Sequence, residues 1–132
     1  MKTQQFIDGA WVDSSGRLDV IDPATEEVVA NVPFGGADDV NRATDAAHRA
    51  FPAWRALTPY DRGAILVKAA DAIRARAKEL ATITVREAGK PLAEAQGEWL
   101  VAANFFEWYA EEGKRVYGYT IPSRLATKRR RP

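Results

Sequence analysis

The chain contains no cysteine. That excludes a disulfide framework, thiolate chemistry and cysteine-ligated metals. It has one histidine, His48. Without a second histidine or any thiol, a transition-metal site lacks its usual ligands, and His48 is read as a partly exposed helix residue. No apolar run approaches the roughly 20 residues of a membrane span. The start, Met1-Lys2-Thr3-Gln4-Gln5, lacks the apolar segment of a signal peptide. The net charge is only +1, so no global field selects nucleic acid or a membrane. There is no Gly-x-Gly-x-x-Gly; Gly35-Gly36 is read as a loop before a helix, with no residue of the chain assigned to cofactor binding. These absences leave a cytoplasmic protein with no nucleic-acid or membrane partner.

What is present is one domain's worth of globular chain: 132 residues, 46% hydrophobic and 28% charged. Residues 4–33 predict a β-meander. Gln5-Phe6-Ile7 and Ala10-Trp11-Val12 flank Asp8-Gly9, a hairpin dipeptide that tolerates positive φ. Leu18 to Ile21 and Glu27 to Val32 are further strands, joined by a type I turn at Asp22-Pro23-Ala24-Thr25. So small a meander cannot bury both faces alone.

Three helices follow. The first is predicted from about Ala37 to Phe51, ended or bent by Pro52. Its buried stripe is Val40, Ala43, Ala47 and Phe51, and Trp54 and Leu57 plug the junction after it. Thr58-Pro59-Tyr60-Asp61 opens the second, with Thr58 at the cap and Pro59 at the first helical position. Arg62, Ile65, Leu66, Ala69, Ile73 and Leu80 form its stripe, alanines at 69–81 permit close packing, a kink is expected near Arg76–Lys78, and Gly89 closes the helix. The third runs from about Leu92 to Lys114 and holds five of the chain's 13 aromatic residues. One apolar face carries Trp99, Ala102, Phe106 and Tyr109; the other carries Leu100, Val101, Phe105 and Trp108. A helix apolar on two sides is built to be covered twice, and a single small domain leaves one side without a partner. Glu107, Glu111 and Glu112, near Lys114 and Arg115, are read as a solvated face. Val116 to Ile121 is predicted as a strand, and a basic tail ends at Lys128-Arg129-Arg130-Arg131-Pro132. That tail is too short, and too poor in aromatics, to be read as a nucleic-acid patch.

Several motifs carry a family resemblance: Glu87-Ala88-Gly89-Lys90-Pro91-Leu92-Ala93-Glu94-Ala95, the run Phe106 to Gly118, Thr120-Ile121-Pro122, Phe6-Ile7-Asp8-Gly9, and Asp22 to Glu26. Together they resemble the NAD(P)-dependent aldehyde dehydrogenases, most of all the succinate-semialdehyde dehydrogenases. The resemblance covers the chain up to about Thr127. It implies a mixed α/β fold, the N-terminal part of the family's architecture: an N-terminal meander, three main helices and a C-terminal strand. Residues 1–115 would be an incomplete N-terminal portion of a cofactor-binding domain, and 116–132 the start of an oligomerisation arm with the basic tail.

The activity implied is oxidation of an aldehyde, succinate semialdehyde by the closest motifs, to its carboxylate with NAD or NADP, in a homo-oligomer. A family enzyme does this through a cysteine that lies beyond this segment, so the chain alone is expected to be inactive, a fragment of a longer enzyme. The resemblance places Val101, Ala102 and Phe105 on the aldehyde tunnel. It also places a monovalent cation between Glu87 and the main-chain oxygens of Val20 and Ile21. The competing expectation is a standalone interaction module that pairs through the 116–122 strand.

Overall fold

The computed structural model describes residues 3–116, 121–122 and 129–130. Strand β1 (Gln5–Ile7) turns at Asp8-Gly9 into β2 (Ala10–Val12). Asp8 and Gly9 have φ of 53° and 78°. Both turn positions are therefore left-handed, which matches the right-handed twist of the strands. Phe6 lies opposite Trp11, with ring centroids 5.1 Å apart, a cross-strand aromatic pair that fixes the register. Arg49 Nη2 donates to Asp8 at 2.9 Å and ties the hairpin to the first helix.

Strand β3 (Gly16–Ile21) pairs antiparallel with β4 (Val28–Phe34), with Leu18 opposite Val32. The turn between them is wider than the predicted type I turn. Asp22 Oδ1 accepts from Ala24 N at 2.9 Å as expected, but the backbone closes from Glu26 N to Asp22 O at 2.8 Å, and Glu26 takes φ 61°. A continuous meander does not form: β1–β2 and β3–β4 are separate two-stranded sheets. Each hairpin saturates its own inner edge, and no ladder joins β2 to β3.

Helix α1 spans Ala37–Ala56 and runs through Pro52. Of the two expectations at Pro52, an end or a bend, the end is thus corrected. Pro52 forfeits only its own N–H bond, and the end falls at Leu57, whose extended backbone leads into Thr58-Pro59. The predicted stripe is not buried: Val40 is 61% and Phe51 56% exposed, and Ala43 and Ala47 are exposed too. No described element lies over that face. Trp54 also stays exposed, so only half-buried Leu57 approaches the role of a plug.

Helix α2 (Pro59–Ala88) begins as predicted. Thr58 Oγ1 accepts from Asp61 N at 3.2 Å, and Pro59 occupies the first turn. It ends on Gly89 at φ 67°, whose N–H reaches Val85 O at 2.9 Å. The helix is continuous, with no break near Arg76–Lys78. Helix α3 covers Leu92–Glu112, followed by a 3-10 turn at Gly113–Arg115.

The core is the seam between these two antiparallel helices. It is made of Gly63, Ala70, Ala77 and Ala81 against Ala95, Ala103 and Ala110. The predicted α2 stripe gives way to this set, and Ile65 is 47% exposed. Small side chains spaced four, seven or eight residues apart let the backbones approach closely, and larger residues are pushed to the flanks. Trp99 Nε1 donates to Thr84 Oγ1 at 3.1 Å at one end of the seam. Near its middle, Arg74 Nη2 donates to Asn104 Oδ1 at 3.0 Å and to Glu107 Oε2 at 2.6 Å.

The expected strand over Val116 to Ile121 and the basic tail lie largely outside the described residues. Val116 belongs to no strand. Ile121–Pro122 (β5) and Arg129–Arg130 (β6) form a short antiparallel pair.

Candidate functional site: an open apolar groove on α3

Helix α3 turns its alanines to α2 and a different face outward. On the outward face Val101, Phe105 and Trp108 are 52%, 59% and 65% exposed. They recur at spacings of four and three, so they form one stripe. The stripe floors a groove of about 520 Å³ lined by Glu94, Gly97, Glu98, Val101, Ala102 and Phe105. A smaller hollow of about 180 Å³ continues it past Asn104 to Trp108. The three residues the sequence reading singled out, Val101, Ala102 and Phe105, all border this one open stretch of the α3 surface.

The groove is apolar along its floor and acidic along its rim. Glu98 is held by Lys90 Nζ, which reaches back from the Gly89-Lys90-Pro91 corner. Glu107 pairs with Arg74, Glu111 with Lys114 at 2.6 Å, and Glu112 with Arg115 at 2.7 Å. The bond from Lys114 holds the Glu111 carboxyl below its ordinary range. These acids are ion-paired surface groups, as the helical spacing implied, and not an acid–base pair facing a cleft.

Gly97 was missed by the sequence reading. It lies inside α3, on the groove, and a β-carbon built there meets nothing within 4 Å. An interior glycine weakens a helix by about 1 kcal/mol relative to alanine. The described residues offer no steric reason for that cost. The signal was available: Gly97 interrupts the run of good helix formers from Leu92 to Glu98.

Of the suggested cation site, Glu87 lies in the last turn of α2, and Val20 and Ile21 end β3. The two elements are neighbours, since a β-carbon on Gly89 would stand 2.8 Å from Pro23 Cγ. Glu87 is exposed and makes no ion pair with a described residue. Among the described residues no cluster of three His, Asp or Glu could hold a metal.

A second polar cluster, also missed, stands at the start of α1. Asp39 is the one buried charged residue among those described. Its Oδ2 accepts from Gly36 N at 3.1 Å and from Ser14 Oγ at 2.8 Å, and its Oδ1 is held by Arg42. The Arg42 guanidinium, then Ser14, then the Gly36 N–H hold its carboxyl below the usual carboxylate range. The helix start therefore already carries its own anion. A cofactor phosphate docking there would have to displace Asp39, so Gly35-Gly36 does not fit a dinucleotide. His48 is an exposed residue of α1, as expected. No helix among the described residues is long and apolar enough to cross a membrane.

Comparison with known proteins identifies the family. The sequence profile of the aldehyde dehydrogenase family matches residues 11–132. The NADP(+) succinate-semialdehyde dehydrogenase GabD of Escherichia coli (strain K12) is 47% identical over 97% of the chain. A glutarate-semialdehyde dehydrogenase of Pseudomonas aeruginosa is 45% identical over 97% of it. Among solved structures, an Escherichia coli NADP-dependent enzyme superposes with a TM-score of 0.89 at 47% identity, over 97% of this chain and 27% of that one. The enzyme PnpE in complex with nicotinamide adenine dinucleotide superposes at 0.88 with 34% identity, over 93% of this chain and 26% of that one. The chain spans 27% of the length of each of these two curated relatives.

Proposed function

The chain belongs to the aldehyde dehydrogenase family, and we propose that it is the N-terminal segment of an NAD(P)-dependent enzyme oxidising a small carboxylate-bearing aldehyde. Succinate semialdehyde is the first candidate, since the similar proteins carry that name or that of its one-carbon-longer homologue. In this reading α3 supplies one wall of the passage by which the aldehyde reaches the reacting centre. The single observation that carries it is the exposed stripe Val101, Phe105 and Trp108 flooring a groove on the side of α3 turned away from α2. An apolar wall binds the carbon chain of the substrate and excludes water from it.

The chemistry itself is not assigned to this chain. With no cysteine, it cannot form the thiohemiacetal through which the family works. A bound nicotinamide would accept hydride, but the α1 start, already occupied by the Asp39 carboxylate, does not fit its phosphates. Two further roles belong to the same reading. Glu87 with the carbonyls of Val20 and Ile21 holds a monovalent cation, which would tie the end of α2 to β3. Residues 116–132 begin an arm that pairs between subunits of a cytoplasmic homo-oligomer.

Two assays test the proposal. The purified 132-residue chain, given succinate semialdehyde with NAD+ or NADP+, is expected to yield no reduced nicotinamide. A chimera in which this chain replaces the matched segment of the Escherichia coli relative is expected to turn over succinate semialdehyde. Turnover by the isolated chain, or a well-folded chimera without any, overturns it.

A further inference from the structure

We infer that the apolar stripe of α1, formed by Val40, Ala43, Ala47, Phe51 and Trp54, is a docking face whose occupant is the later part of an aldehyde dehydrogenase polypeptide. The inference rests on the reading of this chain as the first segment of such an enzyme, and it assigns α1 to the junction between the two parts.

Helix α1 is turned the opposite way from an ordinary surface helix. Its side chains are tied to the β-hairpin region by polar contacts. Asp39 is buried and accepts from Ser14 Oγ, Ala46 is half-buried, and Arg49 donates to Asp8. These three share a face, at spacings of seven and three residues. The apolar stripe lies about 120° round the helix from them, at 3.6 residues per turn, and all five of its residues are exposed. An amphipathic helix ordinarily buries that stripe and gives its charged side to water. Here α1 gives its hydrogen-bonding side to the hairpins and holds the stripe out.

The uncovered area sets the size of the occupant. The chain exposes 10431 Å², whereas a self-contained folded chain of 14.6 kDa exposes about 6,900 Å². Counting the residues outside the described ones as fully extended chain still leaves an excess of about 1,800 Å². A second copy docked through an ordinary interface covers about 800 Å² of each partner, less than half of that. A long continuation of the same polypeptide covers several faces at once. The solved Escherichia coli relative fits this occupant. Its superposition takes in 97% of this chain, α1 with it, but only 27% of its own. The placement of α1 is therefore shared with a chain that has the further length to cover the stripe.

The chain has no cysteine, so one introduced thiol reports coverage. Ala47→Cys lies in the middle of the stripe. Asn41→Cys lies on an exposed side of α1, away from both the stripe and the hairpins. Each is placed in the purified 132-residue chain and in the chimera with the Escherichia coli relative. Alkylation by N-ethylmaleimide is followed by mass spectrometry of the α1 peptide, which separates it from thiols elsewhere. Access governs the rate, so Ala47→Cys is expected to react about tenfold or more slowly in the chimera than in the isolated chain. Asn41→Cys is expected to react equally fast in both. Phe51→Asp gives a second readout. It should leave the urea midpoint of the isolated chain unchanged, because Phe51 is exposed there, and lower the unfolding temperature of the chimera.

Equal labelling of Ala47→Cys in the two forms, with the chimera turning over succinate semialdehyde, overturns the inference and leaves the proposed function standing. So does slow labelling in the isolated chain together with a dimer mass in light scattering, which would assign the stripe to a second copy. A folded chimera without turnover removes the underlying reading, and this inference with it.

Discussion

Replacing Gly63 and Gly97 by alanine is expected to move stability in opposite directions, although the chemical change is the same. Each substitution gains about 1 kcal/mol of helix propensity. At Gly97 nothing opposes that gain, because the new methyl meets open space. At Gly63 the new β-carbon would stand 3.0 Å from Ala110 O and 3.5 Å from Lys114 Cε. The lysine end can swing aside. The carbonyl belongs to the α3 backbone and can retreat only if the two helices separate by a few tenths of an ångström. Overpacking of this kind costs about 1–3 kcal/mol.

The net for Gly63→Ala is therefore a loss of between about zero and 2 kcal/mol, against a gain of about 1 kcal/mol for Gly97→Ala. Urea unfolding followed by far-ultraviolet circular dichroism separates them. With a slope of about 2 kcal/mol per molar, a difference of 2 kcal/mol parts the midpoints by about 1 M. If both alanines raise the midpoint equally, α3 does not pass close to Gly63, and the small-residue seam described above is wrong.

Thr58→Ala removes the α2 cap and should cost about 1 kcal/mol in the same urea assay; Thr58→Ser should recover most of it. Asp39 titrates below its ordinary value in the folded chain. Its stabilising contribution is therefore complete above the unfolded carboxylate pKa and is lost as pH falls through the lowered folded value. Asp39→Asn should flatten that acid limb of an ellipticity–pH curve, and an unchanged limb would contradict the cluster at the α1 start. Arg74 and Glu107 bridge the seam with side chains 33% and 52% exposed. A double-mutant cycle should give a coupling of about 0.2–1 kcal/mol that shrinks in high salt, and a salt-insensitive coupling would mean that the pair is more enclosed than it stands here.

Local chemistry was legible from the residues themselves. Asp8-Gly9 demanded a tight hairpin, Thr58-Pro59 opened a helix, and Gly89 closed one, because each choice depends on neighbours within a few positions. Val101 and Phe105 were likewise legible as one surface from helical spacing, whereas Ala102, read onto the other apolar face, was joined to them only by the family resemblance. Where apolar residues have several faces to choose from, spacing ceases to decide. Val40 and Phe51 read as a buried stripe yet stand exposed, and Ile65 yields its place to Gly63 and Ala70. Pro52 read as an end or a bend and is carried within α1.

The sequence by itself determined where α2 starts and ends, that α3 is apolar on more than one side, and that no thiol is available for catalysis. Those are properties of single residues and short windows. Only the tertiary structure decided which of the faces of α3 meets α2. Two long helices gain most from close backbone approach, and that selects alanine and glycine for the seam while turning Val101, Phe105 and Trp108 outward. It also gave two glycines opposite meanings: one is crowded by a carbonyl and the other borders an open groove, because the value of an absent side chain depends on what stands across from it.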